Sequence, residues 1–473
     1  MSRLVAPASW WALSRGRSRG TFVAAAVLVA GLAAVSVFVW TAPDISPVQQ
    51  TIRVAETLDK AKRATQDRQG LLARIDALEA EVASAREGKA DAEAQLAESD
   101  GALQAALKEL AVVGTTQSTS RNAGPVPTRT PAANPAPVAP VTDPVTAPSK
   151  AELVAPSAAY FGMYTEQAPH NWATLDATSV KAGGSPSLVG YFGGWDEEFR
   201  ADAVTRSWSR GKLPMLTWES RPIAAQNDVV EEPEYSLPRI LDGAFDEYLH
   251  RYAQAIKSNG LPLAIRLDHE MNGTWYPWSE RRGDGSSING NRAGDYAAVW
   301  RHVHDIFEQE GANDYVIWVW APNRVDKLPA ALQDPAYLQS LYPGDDYVDW
   351  VGMSGYLRPP FRDGEPITFD STFGATLAQL RGITDKPIIL AEVGASEIDG
   401  HKPEWVRSFF EALGRPENSD IVGFAWFSLA ITTYVQGERA TNDWRIDSRA
   451  DSLAAFRDGL AALGDRYNVQ PVG

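Results

Sequence analysis

The chain has 473 residues, with 44 lysines and arginines against 60 aspartates and glutamates, a net charge of −16, and no cysteine. This length exceeds what one compact core holds and predicts two or three units of organisation. The negative field repels polyanions, so we expect no nucleic-acid partner, and the lack of cysteine excludes disulfide frameworks and thiolate metal sites.

An apolar segment without charge lies near the N-terminus. Residues 21–40 read TFVAAAVLVAGLAAVSVFVW, and these 20 residues are enough to span a bilayer as a helix. Four arginines precede the segment and no acidic residue occurs before Asp44, so residues 1–20 are expected to be cytoplasmic and the remainder extracellular. A cleaved signal peptide, giving a secreted form, is the alternative. The following WTAPD is a poor cleavage site, which favours a single-pass membrane anchor over residues 21–41.

A heptad pattern and a proline-rich segment follow the apolar segment. Within residues 48–112, apolar residues recur at alternating spacings of four and three, which is typical of a coiled coil. A lysine and a serine interrupt this seam, so two alternatives remain: a parallel coiled coil that forms a homodimer, or a single charged stalk helix. Residues 113–150 are rich in proline, threonine and alanine and predict a semi-extended linker.

Residues 151–473 have the composition of a large folded domain. Helical patterns that end at Gly260 and Gly311 lie between apolar runs. Eight runs of strand character occur, at 158–165, 187–195, 212–220, 261–270, 314–323, 347–356, 386–395 and 420–428. This alternation predicts an α/β fold, a (β/α)8 TIM barrel. A doubly wound sheet is the alternative, but it needs a G-x-G-x-x-G turn after the first strand, where this chain has GMYTEQ.

Two of the apolar runs end in glutamate. The fourth run leads into RLDHEMNGTWY with Glu270, and the seventh, PIILAEVGAS, contains Glu392. In a (β/α)8 barrel functional groups gather at the carboxyl ends of the strands, and the intervening 122 residues equal about three β/α units of roughly 40 residues each. We therefore expect the two carboxyls to face one cavity. Such a pair can hydrolyse glycosides, because one carboxyl protonates the leaving oxygen while the other attacks the anomeric carbon or activates water.

Aromatic residues follow many of the predicted strands and suit a sugar-binding cleft, because flat rings stack on pyranose faces while amides bind hydroxyls. Barrel cores also hold tryptophan, so roughly half of these rings are expected to be structural. We predict substrate-binding roles at Trp195, Trp218, Arg266 and Asn272. The other aromatic residues at or near strand ends are Trp275, Trp278, Trp320, Tyr356, Trp426 and Trp444.

The stretch RLDHEMNGTWYPW resembles the acid/base signature of glycoside hydrolase family 26, R-x-x-H-E-M-N-G-x-W, and ILAEVG resembles the nucleophile strand of that family. The resemblance extends over about residues 155–465. It implies a retaining mechanism on a β-linked polysaccharide with Glu270 as acid/base and Glu392 as nucleophile. It also implies that His269 orients the site, that the Tyr356 hydroxyl lies beside the nucleophile, and that sugars stack on Trp275 and Trp426.

The resemblance leaves the polysaccharide open. Within the family β-1,4-mannan is the commonest substrate, and mixed-linkage β-glucan and xylan are less frequent ones. Leu267 and Asp268 depart from the family pattern, in which proline is expected first after the arginine. The third run ends in TWES, which resembles glucan-acting members at least as well as mannanases. The loop TNDWRID at 441–447 resembles the loop after strand eight in bacterial members.

The chemistry of the pair leads to a further expectation. An acid that works near neutral pH must hold its proton, so we expect apolar surroundings and the negative charge of Glu392 to raise the pKa of Glu270. Tyr356 is expected to donate to Glu392.

Other site types fit the sequence poorly. A zincin motif fails because Gly273 stands where the second histidine is needed, and we expect no metal and no cofactor. An esterase is disfavoured because no G-x-S-x-G motif occurs. The alternative from another class is a non-catalytic, membrane-anchored protein that binds polysaccharide or acts as a cell-envelope scaffold.

Overall fold

The computed structural model describes residues 144–225, 230–359, 364, 366–435 and 438–472. The predicted cytoplasmic segment, anchor and stalk, and the linker as far as residue 143, lie outside these residues. Within the part described, no helix combines the length and the apolar character needed to cross a membrane.

Eight parallel strands form a closed barrel. Each strand pairs with the next along the chain, and β1 pairs with β8 to close the sheet. The strands are β1 Ala159–Tyr164, β2 Leu188–Gly194, β3 Leu213–Glu219, β4 Leu263–Leu267, β5 Val316–Trp320, β6 Trp350–Leu357, β7 Ile388–Ala395 and β8 Ile421–Phe427. Seven predicted runs contain one strand each and the sixth run, 347–356, includes β6 except for Leu357, so the prediction of an eight-stranded parallel barrel is confirmed.

Helices alternate with these strands. They are α1 Lys150–Val154, α2 Ala173–Ala182, α3 Ala201–Trp208, α4 Leu237–Leu241, α5 Asp246–Asn259, α6 Asp295–Glu310, α7 Pro335–Ser340, α8 Ala375–Ile383, α9 Lys402–Leu413 and α10 Ala450–Leu463. The predicted ends of α5 and α6 are confirmed. Gly260 and Gly311 follow them with φ of 68° and 72°, a left-handed conformation that glycine adopts without a Cβ penalty.

Three short strands complete the described chain. After β8 an antiparallel hairpin forms from β9 Ala430–Val435 and β10 Glu438–Asp443. Near the C-terminus β11 Tyr467–Asn468 pairs in parallel with the start of β1. The hairpin lies between β8 and α10 in sequence, so the segment after β10 leads from the carboxyl end of β8 to the last helix.

The outward faces of the strands pack against the helices through aromatic residues. In β8 the Phe424 ring lies 5.2 Å from Phe409 of α9, and the Trp426 ring lies 5.1 Å from Phe456 of α10. Both strand residues are fully buried. Alternation along β8 therefore assigns these two positions to the layer between sheet and helices.

Helix α1 is fixed to the amino-terminal end of the barrel. Tyr160 and Trp350, at the starts of β1 and β6, donate side-chain hydrogen bonds of 2.9 Å each to carbonyl oxygens of α1. Lys150 of α1 lies 2.9 Å from Asp349, also at the start of β6. The described chain thus enters the barrel at the end opposite to the carboxyl ends of its strands.

Candidate active site

A turn at the end of β4 directs Glu270. The strand ends at Leu267, and Asp268 and Glu270 have positive φ of 41° and 57°, a conformation that costs a non-glycine residue about 1 kcal/mol or more. Backbone hydrogen bonds hold the turn, because the Asp268 amide donates to the Trp218 carbonyl at 2.9 Å and the Glu270 amide donates to the Ala321 carbonyl at 2.8 Å. The predicted strand was therefore too long at this end, and the turn, anchored to β3 and to the end of β5, positions the carboxyl.

The residues after Glu270 support it. Asn272 is fully buried and exchanges two hydrogen bonds of 2.8 Å each with the backbone of Asn323, after β5. A Cβ at Gly273 would lie 2.5 Å from the Trp275 ring, so only glycine leaves room for that ring. Trp275 then donates its indole N–H to Oε2 of Glu270 at 2.9 Å. The Asn272 side chain thus joins two loops, and its contact with substrate stays a prediction.

Trp275 is likewise enclosed by its own loop. Only 2% of its surface is exposed, and its indole nitrogen is engaged with Glu270. The stacking role implied for this ring finds no open face in the structure. The geometry instead gives Trp275 the part of a hydrogen-bond donor to a carboxyl.

Glu392 lies inside β7, and a bulge turns it toward the barrel lumen. Gly352 pairs with Ile389, whereas Ser354 pairs with Glu392, so β7 has one more residue than β6 over this step. The pairing of β7 with β8 shifts over the same region. An extra residue reverses the alternation of side chains along a strand. Glu392 therefore shares the face of Ser354, which points inward.

Two donors hold the Glu392 carboxylate. Arg266 donates from its guanidinium to Oε2, and Tyr356 donates its hydroxyl to Oε1, as expected. A Cβ at Gly394 would lie 2.7 Å from the Tyr356 ring, so this glycine makes room for the tyrosine. Arg266 is fully buried, and its contact with substrate stays a prediction. Its guanidinium is a positioning group for Glu392, because charge-assisted hydrogen bonds fix carboxylates strongly.

Glu270 lies in a different electrostatic environment. Its pKa is raised, first by burial and then by the negative charge of Glu392, in the direction expected. Arg266, Ser354 and Asn323 act against this rise. A buried carboxyl near a second carboxylate keeps its proton to higher pH. The structure thus brings the two predicted carboxyls together and gives them different environments.

His269 forms the wall beside Glu270. Its Nε2 lies 3.1 Å from the Tyr276 hydroxyl, and its Nδ1 lies 4.0 Å from Glu219. Burial, followed by the positive charges of Arg266 and Arg221, holds the pKa of His269 well below its usual range. The imidazole is therefore neutral at physiological pH. It orders the site through hydrogen bonds rather than through charge.

Three of the tryptophans predicted to bind sugar face the helices. Trp195, Trp218 and Trp426 are each at most 3% exposed. Trp218 stacks on Tyr252 of α5 at 4.3 Å, Trp195 lies 5.3 Å from Trp218, and Trp426 packs against α9 and α10. The predicted substrate contacts of these three residues are wrong. Strand alternation places Trp218 and Trp426 on the outer face, where a large apolar ring stabilises the packing of helices on the sheet.

Comparison with known proteins agrees with this architecture. Residues 216–411 match the model of glycosyl hydrolase family 26. The resemblance to this family is thus confirmed over residues 216–411. The matched segment contains β4 with the Glu270 turn and β7 with Glu392.

Curated relatives and solved structures align with different shares of the chain. Endoglucanase H of Acetivibrio thermocellus is 33% identical over 282 residues, which are 58% of this chain and 27% of that protein. A mannan endo-1,4-beta-mannosidase of Bacillus subtilis is 26% identical over 263 residues, 51% of this chain and 66% of that protein. The catalytic domain of a Bacillus sp. JAMB-750 endo-beta-1,4-mannanase aligns with a TM-score of 0.48 at 17% identity, covering 66% of this chain and 88% of that chain. The chain thus spans less than two thirds of either curated relative.

One ring was missed as a site residue, and a second, named among the aromatic residues near strand ends, was not assigned a substrate-binding role. Phe192 in β2 is partly exposed, and its ring lies 6.3 Å from that of His269. Trp444, directly after β10, lies 5.0 Å from the Tyr356 ring. Successive side chains along a strand point to opposite faces, so Phe192 and Trp195 in YFGGW belong to opposite faces. This alternation would have favoured Phe192 over Trp195 as the ring in the cleft. For Trp444 the signal was its place in the loop TNDWRID after strand eight.

Proposed function

We propose that the protein is a retaining, endo-acting β-glycanase that hydrolyses β-1,4 linkages in β-mannan or mixed-linkage β-glucan. Glu392 is the nucleophile and Glu270 the general acid/base of a double displacement. One observation carries the proposal: two carboxyls meet at the carboxyl end of the barrel, one buried with a raised pKa and one held by a guanidinium and a phenol hydroxyl. Carboxyls in such different environments suit the roles of acid and nucleophile.

The proposed reaction proceeds in two steps. Glu392 attacks the anomeric carbon while Glu270 gives its proton to the leaving oxygen, so the glycosidic bond breaks as a glycosyl ester forms. Ester formation removes the negative charge of Glu392, which is one of the causes of the raised Glu270 pKa. Glu270, now ionised, accepts a proton from water as the water attacks the anomeric carbon and displaces the Glu392 carboxylate. The second displacement restores the original configuration and both carboxyls.

The substrate class is supported by the named relatives and by the cleft. One relative is named an endoglucanase and another a mannan endo-1,4-beta-mannosidase; both names describe internal cleavage of a polysaccharide, and the second names a β-1,4 linkage. The partly exposed Phe192 ring beside His269 offers an apolar face to a pyranose. The choice between mannan and mixed-linkage glucan is the open part of the proposal.

The test is reducing-end release by the purified full chain on β-mannan, mixed-linkage β-glucan, xylan and cellulose. Glu392→Gln and Glu270→Gln are compared with Glu247→Gln, whose side chain is 92% exposed on α5. We expect activity on mannan or mixed-linkage glucan, its loss in the two site variants, and its retention in the control. Release of the β-anomer as first product, followed by NMR, tests retention of configuration. Polymer binding without hydrolysis by the unmodified chain would replace the enzyme with a binding or scaffold protein.

We also propose that the catalytic domain, residues 151–473, is displayed outside the cell by an uncleaved single-pass anchor over residues 21–41. Residues 48–112 then form the stalk, as a homodimeric coiled coil or a single helix, and residues 113–150 form the linker. The support is the charge-free segment with its basic flank and the heptad spacing. Recovery in the membrane fraction with external protease sensitivity is expected. A soluble, trimmed product in the medium would contradict the anchor, and sedimentation of the full chain decides between monomer and dimer.

A further inference from the structure

A buried ammonium group lies behind the segment that follows β10. Lys402, the first residue of α9, is fully buried. Its Nζ donates to the Arg445 carbonyl at 2.6 Å, to the Ser448 hydroxyl at 2.7 Å and to the Asp443 carbonyl at 3.3 Å, and it lies 3.4 Å from Glu397. Three of these four partners belong to residues 443–448, which we call the Trp444 loop. A buried charge is tolerated only when it is paired and hydrogen-bonded, so the loop and the lysine stabilise each other.

The loop presents Trp444 to the site. The Trp444 amide donates to the Leu429 carbonyl at 3.0 Å, and its carbonyl accepts from the Trp426 indole at 2.7 Å. Its ring lies 5.0 Å from Tyr356, the residue that donates to Glu392. Lys402 is thus linked to the carboxylate through the loop backbone, one indole ring and one phenol hydroxyl.

We propose that Lys402 is a positioning residue of the reaction: by holding the Trp444 loop closed, it fixes Tyr356 against the nucleophile Glu392 without touching substrate. This inference rests on the proposed function. In this inference a buried lysine that does not touch the reacting atoms controls how well the nucleophile is oriented. Small losses of orientation reduce reaction rates strongly.

The charges around Lys402 make its hold on the Trp444 loop depend on pH. Burial lowers the pKa of Lys402 to about 8, while Glu397, Asp443 and Asp447 act to raise it. As pH rises through this value, the ammonium becomes a neutral amine and its hydrogen bonds to the loop weaken. Activity is therefore expected to fall reversibly above about pH 8 because the loop loosens. Among the described residues, these carboxylates also pair with arginines and a lysine: Arg445 pairs with Asp443, Arg449 lies 3.9 Å from Glu397, and Lys181 lies 2.5 Å from Asp447.

A second buried lysine provides a matched control. Lys212 at the start of β3 is 3% exposed, and burial also lowers its pKa to about 8. Its Nζ donates to the Ser185 hydroxyl, the Pro186 carbonyl and the Gln470 side chain, at the amino-terminal end of the barrel. Replacing either lysine by methionine removes a buried, hydrogen-bonded ammonium. Only Lys402 is connected to the Trp444 loop.

The experiment compares Lys402→Met and Lys212→Met in the full chain. We expect both to lower Tm. We expect Lys402→Met alone to lower kcat about tenfold or more, with KM changed less than about twofold. It should also remove the step of activity loss centred near pH 8 and leave the alkaline limb of Glu270 in place. Covalent labelling of Glu392 by an activated 2-deoxy-2-fluoroglycoside should slow by a similar factor, because labelling needs only the nucleophile. Lys402→Arg, which keeps charge and donors, should restore part of kcat.

Three outcomes overturn the inference. One is a Lys402→Met variant with unchanged kcat and pH profile, and another is an equal fall of kcat in both lysine variants. If Lys402→Met does not fold, Trp444→Leu tests the same link, and unchanged kcat and labelling in that variant is the third. Absence of hydrolysis by the unmodified chain on every polymer would instead remove the proposed function, and this inference with it.

Discussion

The indole N–H of Trp275 donates a 2.9 Å hydrogen bond to Oε2 of Glu270, five residues earlier in the chain. A donor stabilises the ionised carboxylate, so Trp275→Phe should raise the pKa of Glu270 further. Since a hydrogen bond to a charged group contributes about 1.5 kcal/mol or more, the alkaline limb of kcat/KM assigned to Glu270 should move up by about one pH unit. Trp278→Phe is the control, because Trp278 donates to the His269 backbone carbonyl and not to a carboxyl. An equal shift in both variants would contradict the assignment.

Glycine at position 394 is needed for the placement of Tyr356. The added methyl group of Gly394→Ala would lie 2.7 Å from the Tyr356 ring, which must then move away from Glu392. We expect kcat to fall at least tenfold, alongside a loss of about 1–3 kcal/mol in the free energy of unfolding from overpacking. Gly382→Ala in α8 is the control, since no atom lies within 4 Å of its added methyl group. A Gly394→Ala enzyme with full kcat would show that Tyr356 is dispensable for positioning.

Substitutions at Phe192 and Trp218 compare an aromatic ring in the cleft with one in the core. Phe192→Ala removes a partly exposed face beside His269, and we expect KM to rise about fivefold, because a lost ring contact costs about 1 kcal/mol. Trp218→Phe should leave KM unchanged but lower Tm, because Trp218 stacks on Tyr252 between sheet and helices. Steady-state kinetics and thermal melts on both variants test this. A raised KM for Trp218→Phe would contradict the assignment of Trp218 to the core and indicate that its ring contacts substrate.

Titration of Asp268 makes the stability of the fold depend on pH below neutrality. Burial raises its pKa to about 7, against the two hydrogen bonds that the Ser220 amide and hydroxyl donate to its carboxylate. The unfolded chain ionises at lower pH, so the folded state loses stability as pH rises from about 4 to about 7, by up to about 4 kcal/mol from this group. Asp268→Asn should flatten this decline in denaturant unfolding measured at several pH values. Asp346→Asn, at an exposed position, should not change the slope.

The barrel itself was predictable because parallel strands covered on both faces read as continuous apolar runs. The direction of the side chains at the strand ends was harder to predict from the sequence. Glu392 follows four apolar residues, yet strict alternation along β7 would place it on the side of Leu390, toward the helices. The inserted residue opposite Ser354 reverses this, and bulges of this kind leave no composition signal.

The tryptophans illustrate a second limit. Position after a strand end indicated the right end of the barrel but not the right side of the sheet, so Trp218 and Trp426 were assigned to the cleft although they pack on its outer face. Left-handed backbone at Asp268 and Glu270 had no signal either, because residues other than glycine adopt it only where surrounding contacts impose it.

Helix α1 fixes where the folded domain can be held. Tyr160, Trp350 and Asp349 fasten it to the amino-terminal ends of β1 and β6, whereas Glu270, after β4, and Glu392, in β7, lie at the opposite end of the barrel. A solid support or fusion partner joined ahead of residue 144 is therefore attached at the amino-terminal end of the barrel. Immobilised in this orientation, the enzyme keeps its cleft turned to the solution, and long polymer chains can reach it without passing the attachment point.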